Sequence, residues 1–236
     1  MKPLPIIGFD RYVPRHWLNT AIAIAAGDAE RNELAALLER ELAGVEGRSK
    51  TSTILNRMWL SPHPALVDFS AAGVALYRTE KRSDMLGLHW GMALASHPFF
   101  AAVADSIGRL LKLHGEFTAL QINRRLKEQL GDRASILRAT EAVLQSLVEW
   151  QVIRGAPDRK RCFTGGPLIA VASKPRTMWM LEACVLASGK SLNPNETSNL
   201  MFPFKLANLV EVDFNQQSRL RLAQTGAGLT VATTSP

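Results

Sequence analysis

Apolar residues recur at helical spacing through most of the first hundred positions. The leucines at positions 34, 37, 38 and 42 predict one helix over residues 17–44, which Gly44 and Gly47 end. Four further helices are predicted over residues 50–60, 65–77, 83–96 (with Ser83 as its N-cap) and 98–113. The sequence therefore predicts a helical bundle over residues 1–114, in a fold that is mainly α.

Residues 86–104 form an apolar stretch of 19 positions, which approaches the length of a membrane span. Pro98 interrupts this stretch, and His89 and His97 lie within it. Because the residue before a proline is pushed out of helical conformation, one helix should end near His97 and another should begin at Pro98. We therefore predict a buried pair of helices and no transmembrane segment.

The pattern changes at Thr118. Thr118 and Gln121 have the spacing of a capping box, which opens a helix with one apolar face. The apolar residues of that face are Ile122, Leu126 and Leu130. Gly131 ends this helix, and Asp132 or Ser135 is suited to cap a second, longer one. Two helices joined by such a tight turn have helix-turn-helix spacing.

Two short segments with a β pattern follow the second helix. Residues 152–154 and 161–164 flank a loop of turn-forming residues, 155–160. A hairpin directly after a helix-turn-helix is typical of a winged helix. The sequence therefore predicts a winged helix-turn-helix over residues 115–166.

The second helix of this unit is amphipathic. With successive residues about 100° apart, its bulky side chains gather on one side, the predicted core face. That face comprises Ile136, Leu137, Thr140, Val143, Leu144, Leu147 and Val148. The opposite face comprises Ser135, Arg138, Ala139, Ala142, Gln145 and Ser146, with Glu149 at its far end. The small residues of this opposite face would allow a close approach to a DNA major groove.

Candidate DNA contacts lie on the opposite face and beside it. Arg138 suits guanine edges and Gln145 suits adenine edges, while Arg133 lies at the helix end that enters the groove. The residues predicted to contact flanking phosphates are Arg124, Arg125 and Lys127 of the first helix and Arg159, Lys160 and Arg161 of the wing. The alternative is a winged helix that docks on a protein, and the acidic residues Glu128, Glu141 and Glu149 weigh against DNA.

Charge is unevenly distributed along the chain. The 236 residues include 28 Lys and Arg and 21 Asp and Glu, and the net charge of +7 predicts an anionic partner. Residues 109–161 contain 11 basic and 6 acidic residues, whereas residues 28–46 are acidic. Most of the basic excess therefore lies in the predicted winged helix, which favours double-stranded DNA over diffuse binding of polyanions.

A second candidate phosphate site lies at residues 48–53. Arg48, Lys50 and Thr51 lie at the predicted start of the helix over residues 50–60, where cations and hydroxyls can join the helix N-terminus in binding a phosphate. A hydroxyl cap beside two exposed cations explains the same residues equally well. The sequence leaves both interpretations open.

The C-terminal residues 167–236 are predicted to form a small α+β subdomain. A Gly-Gly-Pro linker at residues 165–167 precedes helices predicted over residues 175–188 and 194–201, and the end of the chain alternates at period two like a β-hairpin. Helices followed by a hairpin are typical of a second winged-helix-like unit. A plain accessory subdomain is the alternative.

The sequence contains no recognisable catalytic motif. P-loop, GxSxG, HExxH and GxGxxG patterns are absent, and Cys162 and Cys184 have neither CxxC spacing nor neighbouring histidines. His89 and His97 are interpreted as core or cap histidines in preference to a metal pair. We therefore expect a cytoplasmic protein that is not an enzyme and uses no cofactor or metal.

Three consecutive features of the chain resemble a known family. They are a helical bundle with a Lys- and Thr-rich helix start (RSKTSTILNRM), a central winged helix with an Arg-Ala-Ser...Arg-Ala-Thr stretch, and a C-terminal appendage. This layout is similar to that of the BrxA family, small subunits of BREX bacteriophage-defence systems. The resemblance implies DNA binding without catalysis and a role beside other defence proteins. A protein adaptor or scaffold and a transcriptional regulator are the alternatives.

Overall fold

The computed structural model of the protein describes residues 7–80, 85–157, 159–206, 220–225 and 228–233. Within these ranges the chain forms ten α-helices and seven short β-strands. The fold is mainly helical, as predicted, and the strands lie only in the middle and C-terminal parts of the chain.

Four helices open the chain. They are α1 (Arg15–Ala26), α2 (Arg31–Glu41), α3 (Val45–Leu55) and α4 (Val67–Thr79). A π-helical turn over Asn56–Leu60 continues α3, and a 3-10 turn over Pro64–Leu66 leads into α4. These helices form the N-terminal part of the predicted bundle.

The predicted single helix over residues 17–44 is wrong, because Gly27 divides it. Gly27 has a φ of 78°, a left-handed conformation that favours glycine, and its N–H donates to the carbonyl of Ile24 at 3.0 Å. The predicted stop at Gly47 is also wrong, because this residue lies inside α3. The acidic stretch therefore spans two helices and the turn between them.

The helices α5 (Leu86–Ser96) and α6 (Pro98–His114) confirm the predicted pair with its break at Pro98. Every residue of α5 from Leu86 to Leu94 is buried, so the apolar stretch belongs to the protein core. The predicted N-cap Ser83 lies outside the described residues. Among the described helices, none is both long and apolar enough to cross a membrane.

The next five elements form a pair of helices backed by a small sheet. They are β1 (Glu116–Thr118), α7 (Ala119–Leu130), α8 (Ala134–Glu149), β2 (Ile153–Gly155) and β3 (Cys162–Gly165). The strands are antiparallel in the order β1-β3-β2, with Phe117 opposite Phe163. The predicted helices, their tight turn and the hairpin are all present, and β1 is a third strand that the pattern did not predict.

The start of α7 confirms the predicted capping box. Thr118 Oγ1 accepts a hydrogen bond from the Gln121 N–H at 3.2 Å, and Gln121 Oε1 accepts one from the Thr118 N–H at 2.7 Å. Ile122 and Leu126 are buried on the inner face, and Gly131 follows the last residue of the helix. The sequence signals for this helix are therefore local, and they specify both of its ends.

Two helices and four strands complete the chain. They are β4 (Ile169–Val171), α9 (Lys174–Ser188), α10 (Pro194–Met201), β5 (Phe204–Leu206), β6 (Leu220–Thr225) and β7 (Gly228–Thr233). Strands β4 and β5 are parallel, and β6 and β7 form an antiparallel hairpin. Both predicted helices and the predicted hairpin are confirmed.

The Gly-Gly-Pro segment at residues 165–167 is not the free linker that was predicted. The Gly166 N–H donates to the carbonyl of Val152 at 2.7 Å, and a Cβ at position 166 would lie 2.1 Å from the carbonyl oxygen of Gln151. Only glycine fits such a close approach between two stretches of backbone. The segment therefore fastens the C-terminal region to the end of α8.

One continuous hydrophobic core connects these regions. It extends from Phe9, before α1, to Phe204 in β5. Trp90 in α5 donates from Nε1 to the carbonyl of Leu200 in α10 at 2.8 Å, which ties the helical bundle to the C-terminal region. The three predicted segments of the chain thus share a core, and this core fixes the position of α8.

Candidate nucleic-acid interface

The helix α7 carries the three cations that the sequence assigned to phosphate contacts. Arg124 forms an ion pair with Glu128 at 3.8 Å, and Lys127 forms one with Asp132 at 2.7 Å. Arg125 is half-buried and has no ion-pair partner among the described residues. Exposed ion pairs are worth at most about 1 kcal/mol, so a phosphate can compete with both carboxylates.

The hairpin after α8 exposes four cations. They are Arg154 in β2 and Arg159, Lys160 and Arg161 in the loop. Arg159 is paired with Glu116 at 2.6 Å, whereas the other three have no ion-pair partner in the part of the chain that the structure describes. The carbonyl of Arg161 accepts a hydrogen bond from the Ala119 N–H at 3.3 Å, which holds the loop beside the first turn of α7.

The exposed face of α8 differs from the predicted one. Leu137 and Val148, assigned to the core, are 49% and 41% exposed, while Ala139 and Ser146, assigned to the open face, are 0% exposed. The exposed positions are Ala134, Ser135, Leu137, Arg138, Glu141, Gln145 and Val148. At about 100° per residue, this stripe is rotated by roughly a quarter turn from the predicted face.

The cause of the rotation is the chain segment around Phe9 and Val13, which packs against one side of the C-terminal half of α8. The Val13 N–H donates to Ser146 Oγ at 2.9 Å, and Trp150 Nε1 donates to the carbonyl of Val13 at 2.9 Å. The buried ring of Phe9 meets the ring of Trp150 edge to face at 6.4 Å. Two sides of α8 are therefore buried, one against α7 and the sheet and one against this segment.

Glu149 also connects α8 to the chain near the start of α1. Its Oε2 accepts a hydrogen bond from the Arg15 N–H at 3.0 Å, at the first residue of α1. The Arg15 guanidinium lies 4.0 Å from the other carboxylate oxygen. This carboxylate was interpreted as a charge that would repel DNA, and it is engaged within the protein instead.

The N-terminal half of α8 is open and borders a cleft. The prediction that Asp132 or Ser135 caps this helix is wrong: Arg133 occupies the N-cap position, no side chain caps the helix, and Asp132 is paired with Lys127. The cleft has a volume of about 590 Å³. Its polar lining comprises Asp10, Arg11, Lys50, Arg133, Ser135 and Arg138. Cations from three separate parts of the chain therefore meet at the start of α8.

The candidate phosphate site at residues 48–53 was predicted to lie at a helix N-terminus, and this prediction is wrong. These residues lie inside α3, not at its start, so the helix N-terminus is not near them. Thr51 is 2% exposed, and Arg48 donates from Nη1 to the carbonyl of Leu42 at 2.9 Å. Of these residues only Lys50 lines the cleft. It can therefore contact an anion at the start of α8, but not one at the start of its own helix, α3.

The two central histidines are buried, as predicted. Trp59 Nε1 donates to His89 Nδ1 at 3.2 Å, and His97 Nδ1 lies 2.8 Å from Ser96 Oγ. Burial lowers the pKa of each imidazole to about 3, with a further contribution from Arg57 at His97. No group of three metal-ligating side chains occurs among the described residues.

Two cations of this interface, Arg11 and Arg154, are not among the predicted contacts. Arg154 was recognised as part of a strand but not as a contact. Arg11 lies more than a hundred positions before α8, and no local pattern connects the two. The apolar residues Phe9 and Val13 on either side of Arg11 were the available signal, because they indicate that this segment is packed down.

Comparisons with known proteins give no assignment. No protein-family model matches the chain, and no curated protein or solved structure is significantly similar to it.

Proposed function

We propose that the protein is a non-enzymatic DNA-binding protein that holds double-stranded DNA with α7, α8 and the β2–β3 hairpin. One observation carries the proposal: the elements β1-α7-α8-β2-β3, with sheet order β1-β3-β2, include the helix pair, tight turn and hairpin that were predicted for a winged helix, and they expose cations on both helices and the hairpin. In helix-turn-helix proteins the second helix enters the major groove with its N-terminal residues at the base edges.

The N-terminal half of α8 is the part suited to the groove, because Val13 and Phe9 pack against a second side of the other half. Arg138 is exposed there and has no ion-pair partner within the described residues, so its guanidinium is suited to guanine O6 and N7. Ser135 lies one turn earlier and can bond a base or a phosphate. Gln145 lies about 10 Å further along the helix axis and would meet the edge of the site.

Phosphate contacts flank this helix in two groups. Arg125, Lys160 and Arg161 have no competing carboxylate among the described residues. The other group, Arg124, Lys127 and Arg159, exchanges a carboxylate for a phosphate on binding. Substitution in the first group should therefore weaken binding more than substitution in the second.

A titration of fluorescently labelled duplex, followed by anisotropy at two salt concentrations, tests the proposal. We expect binding at low salt and a steep loss of affinity as salt rises, because phosphate contacts release counterions. Arg138→Ala should weaken binding about tenfold with little change in stability. Lys205→Ala, an exposed cation on β5, is the matched control and should have no effect. The absence of binding at low salt, or an affinity indifferent to salt, would refute the proposal.

The resemblance to BrxA proteins extends the proposal to an accessory role in a BREX-like phage-defence system of the bacterial cytoplasm. The buried free thiols of Cys162 and Cys184 are compatible with a reducing compartment. In a bacterium that carries the system, deletion of the gene should raise the plating efficiency of a restricted phage. Unchanged plating would contradict this extension without affecting the DNA-binding proposal.

Docking on a protein is the second candidate function, and one observation favours it. Leu137 and Val148 are exposed and, eleven residues apart, lie within about 20° of each other on α8. An adaptor would bury this pair against a partner. Val148→Ser alone, on the C-terminal half of α8, should leave duplex affinity unchanged if DNA is the partner, and it should weaken partner capture if the helix docks on protein.

A further inference from the structure

The cleft at the start of α8 contains cations that do not belong to the winged-helix elements. Arg11 comes from the segment before α1 and Lys50 from α3, whereas Arg133 and Arg138 belong to α8. Asp10 is the carboxylate in the lining. Positive charge therefore exceeds negative charge in the cleft, and the excess depends on residues from outside the helix-turn-helix.

The backbone around Arg11 is held in place on both sides. Phe9 is buried in the core, and Val13 is tied to α8 through Ser146 and Trp150. The Nε of Arg11 is enclosed and has no hydrogen-bond partner in the described part of the chain. A cation fixed in this way loses little conformational entropy when an anion binds beside it.

Lys50 is the more exposed of the two cations. Its Nζ is paired with Glu46 Oε1 at 2.5 Å, one turn earlier in α3, and this hydrogen bond lowers the pKa of the Glu46 carboxyl, with a smaller contribution from Arg11. Both side chains are well exposed, so the pair is weak and Lys50 can turn towards a stronger anion. A doubly charged oxyanion offers more acceptor oxygens than this carboxylate.

The start of α8 supplies a third kind of donor. No side chain caps this helix, in contrast to the reciprocal cap of α7, so its first N–H groups have no side-chain acceptor. The helix dipole adds partial positive charge at the same place. The hydroxyl of Ser135 is beside them.

We propose that this cleft binds a phosphate group, held by Arg11 and Lys50 together with the start of α8. In a complex with DNA the group is a backbone phosphate of the duplex, and this part of the proposal rests on the proposed function. The segment before α1 and the helix α3 then enlarge the DNA-contacting surface beyond the helix-turn-helix and the hairpin.

The first experiment uses inorganic phosphate, detected by ³¹P line broadening on titration of the protein. Arg11→Gln and Lys50→Gln should each weaken phosphate binding about tenfold, because each removes a charge-assisted hydrogen bond. Arg40→Gln, an exposed cation on α2, is the matched control and should bind like the wild type. Lys50→Arg keeps the charge and should largely retain binding.

The second experiment measures the salt dependence of duplex affinity for the same variants. Arg11→Gln and Lys50→Gln should each reduce the slope of log K against log salt by about 1, because one phosphate contact is lost. Circular dichroism melting of each variant excludes a loss of folding as the cause of any change.

The outcomes distinguish the two sources of phosphate. Weakened binding in both experiments supports a duplex phosphate in the cleft. Weakened binding of inorganic phosphate with an unchanged duplex slope assigns the cleft to a free phosphate compound and removes the DNA contact. Duplex binding that depends on Lys160 but not on Arg11 or Lys50, with no effect on inorganic phosphate, overturns the inference and leaves the proposed function standing. No duplex binding by the wild type refutes the proposed function alone.

Discussion

The two halves of α8 have the same amphipathic sequence pattern and different surroundings. The N-terminal half borders an open cleft with Arg11, Lys50 and Arg138, and no side chain caps its start. The C-terminal half is packed on one side against the segment around Val13, and both Ser146 and Trp150 are hydrogen-bonded to the backbone of Val13. One helix thus combines a surface open to a ligand with a surface used to hold the fold.

The difference explains how a short unit can be positioned firmly and still expose a binding end. A helix held only by α7 and a small sheet would bury one face. The second attachment buries another face of α8 and joins the helix to the core of the helical bundle. The N-terminal half of α8 is therefore held in position by contacts of the C-terminal half. Such pre-organisation lowers the entropy cost of binding.

The largest expected effect comes from removing the attachment itself. Trp150→Ala should lower the free energy of unfolding by about 3–5 kcal/mol, because a fully buried aromatic side chain and its hydrogen bond to Val13 are lost. Urea denaturation followed by circular dichroism measures the change. Trp150→Phe keeps most of the ring packing and should cost less. A loss below about 1 kcal/mol for Trp150→Ala would show that the C-terminal half does not hold the helix.

Acid should weaken the same attachment through His97, whose ring contacts Phe9 edge to face at 5.5 Å. Burial, followed by the charge of Arg57, lowers the pKa of His97 to about 3, so the folded protein keeps this histidine neutral while the unfolded chain binds a proton below about pH 6.5. The free energy of unfolding therefore falls as the pH drops from about 6.5 towards 3. Protonation of His97 in the unfolded chain accounts for about 2 kcal/mol of this loss at pH 5.

Denaturation of the wild type and of His97→Gln at pH 7 and pH 5 measures this contribution. The variant should lose less stability than the wild type between the two pH values. Parallel losses in the two proteins would mean that the protonation of His97 is not coupled to folding.

A smaller difference in stability should distinguish the two halves of α8, each of which contains one serine that can be replaced by alanine. Ser146→Ala should cost at least about 1 kcal/mol, because it leaves the buried Val13 N–H without its acceptor. Ser135→Ala should change stability by less than about 0.5 kcal/mol, because this serine is exposed and does not cap the helix. Equal losses at the two positions would contradict the described difference between the halves.

Local patterns predicted much of the fold. The break at Pro98, the capping box at Thr118 and the hairpin after α8 were predicted because their causes lie within a few residues of each other. The helix over residues 17–44 was mispredicted because its leucine periodicity outweighed the left-handed Gly27 that divides it. Helical spacing alone does not show where a glycine turns the chain.

The candidate site was less predictable, because its geometry depends on contacts between distant residues. The helical wheel of α8 separated bulky from small residues and assigned the small ones to the outside. Ala139 and Ser146 are small and buried, Ser146 against the backbone of Val13, and Leu137 is exposed although it is bulky. Arg11 joins the cleft through the same contact, which no pattern within α8 encodes.

Photocrosslinking from two positions on α8 tests the central claim most directly. Ser135→Cys places a thiol on the N-terminal half of α8 and Val148→Cys places one on the C-terminal half, and both positions are exposed. The native Cys162 and Cys184 are buried, so a benzophenone maleimide should label the new thiol selectively. In complex with a labelled duplex, the probe at position 135 should crosslink to DNA and the probe at position 148 should not. Equal crosslinking from both positions, or crosslinking from position 148 alone, would contradict the account.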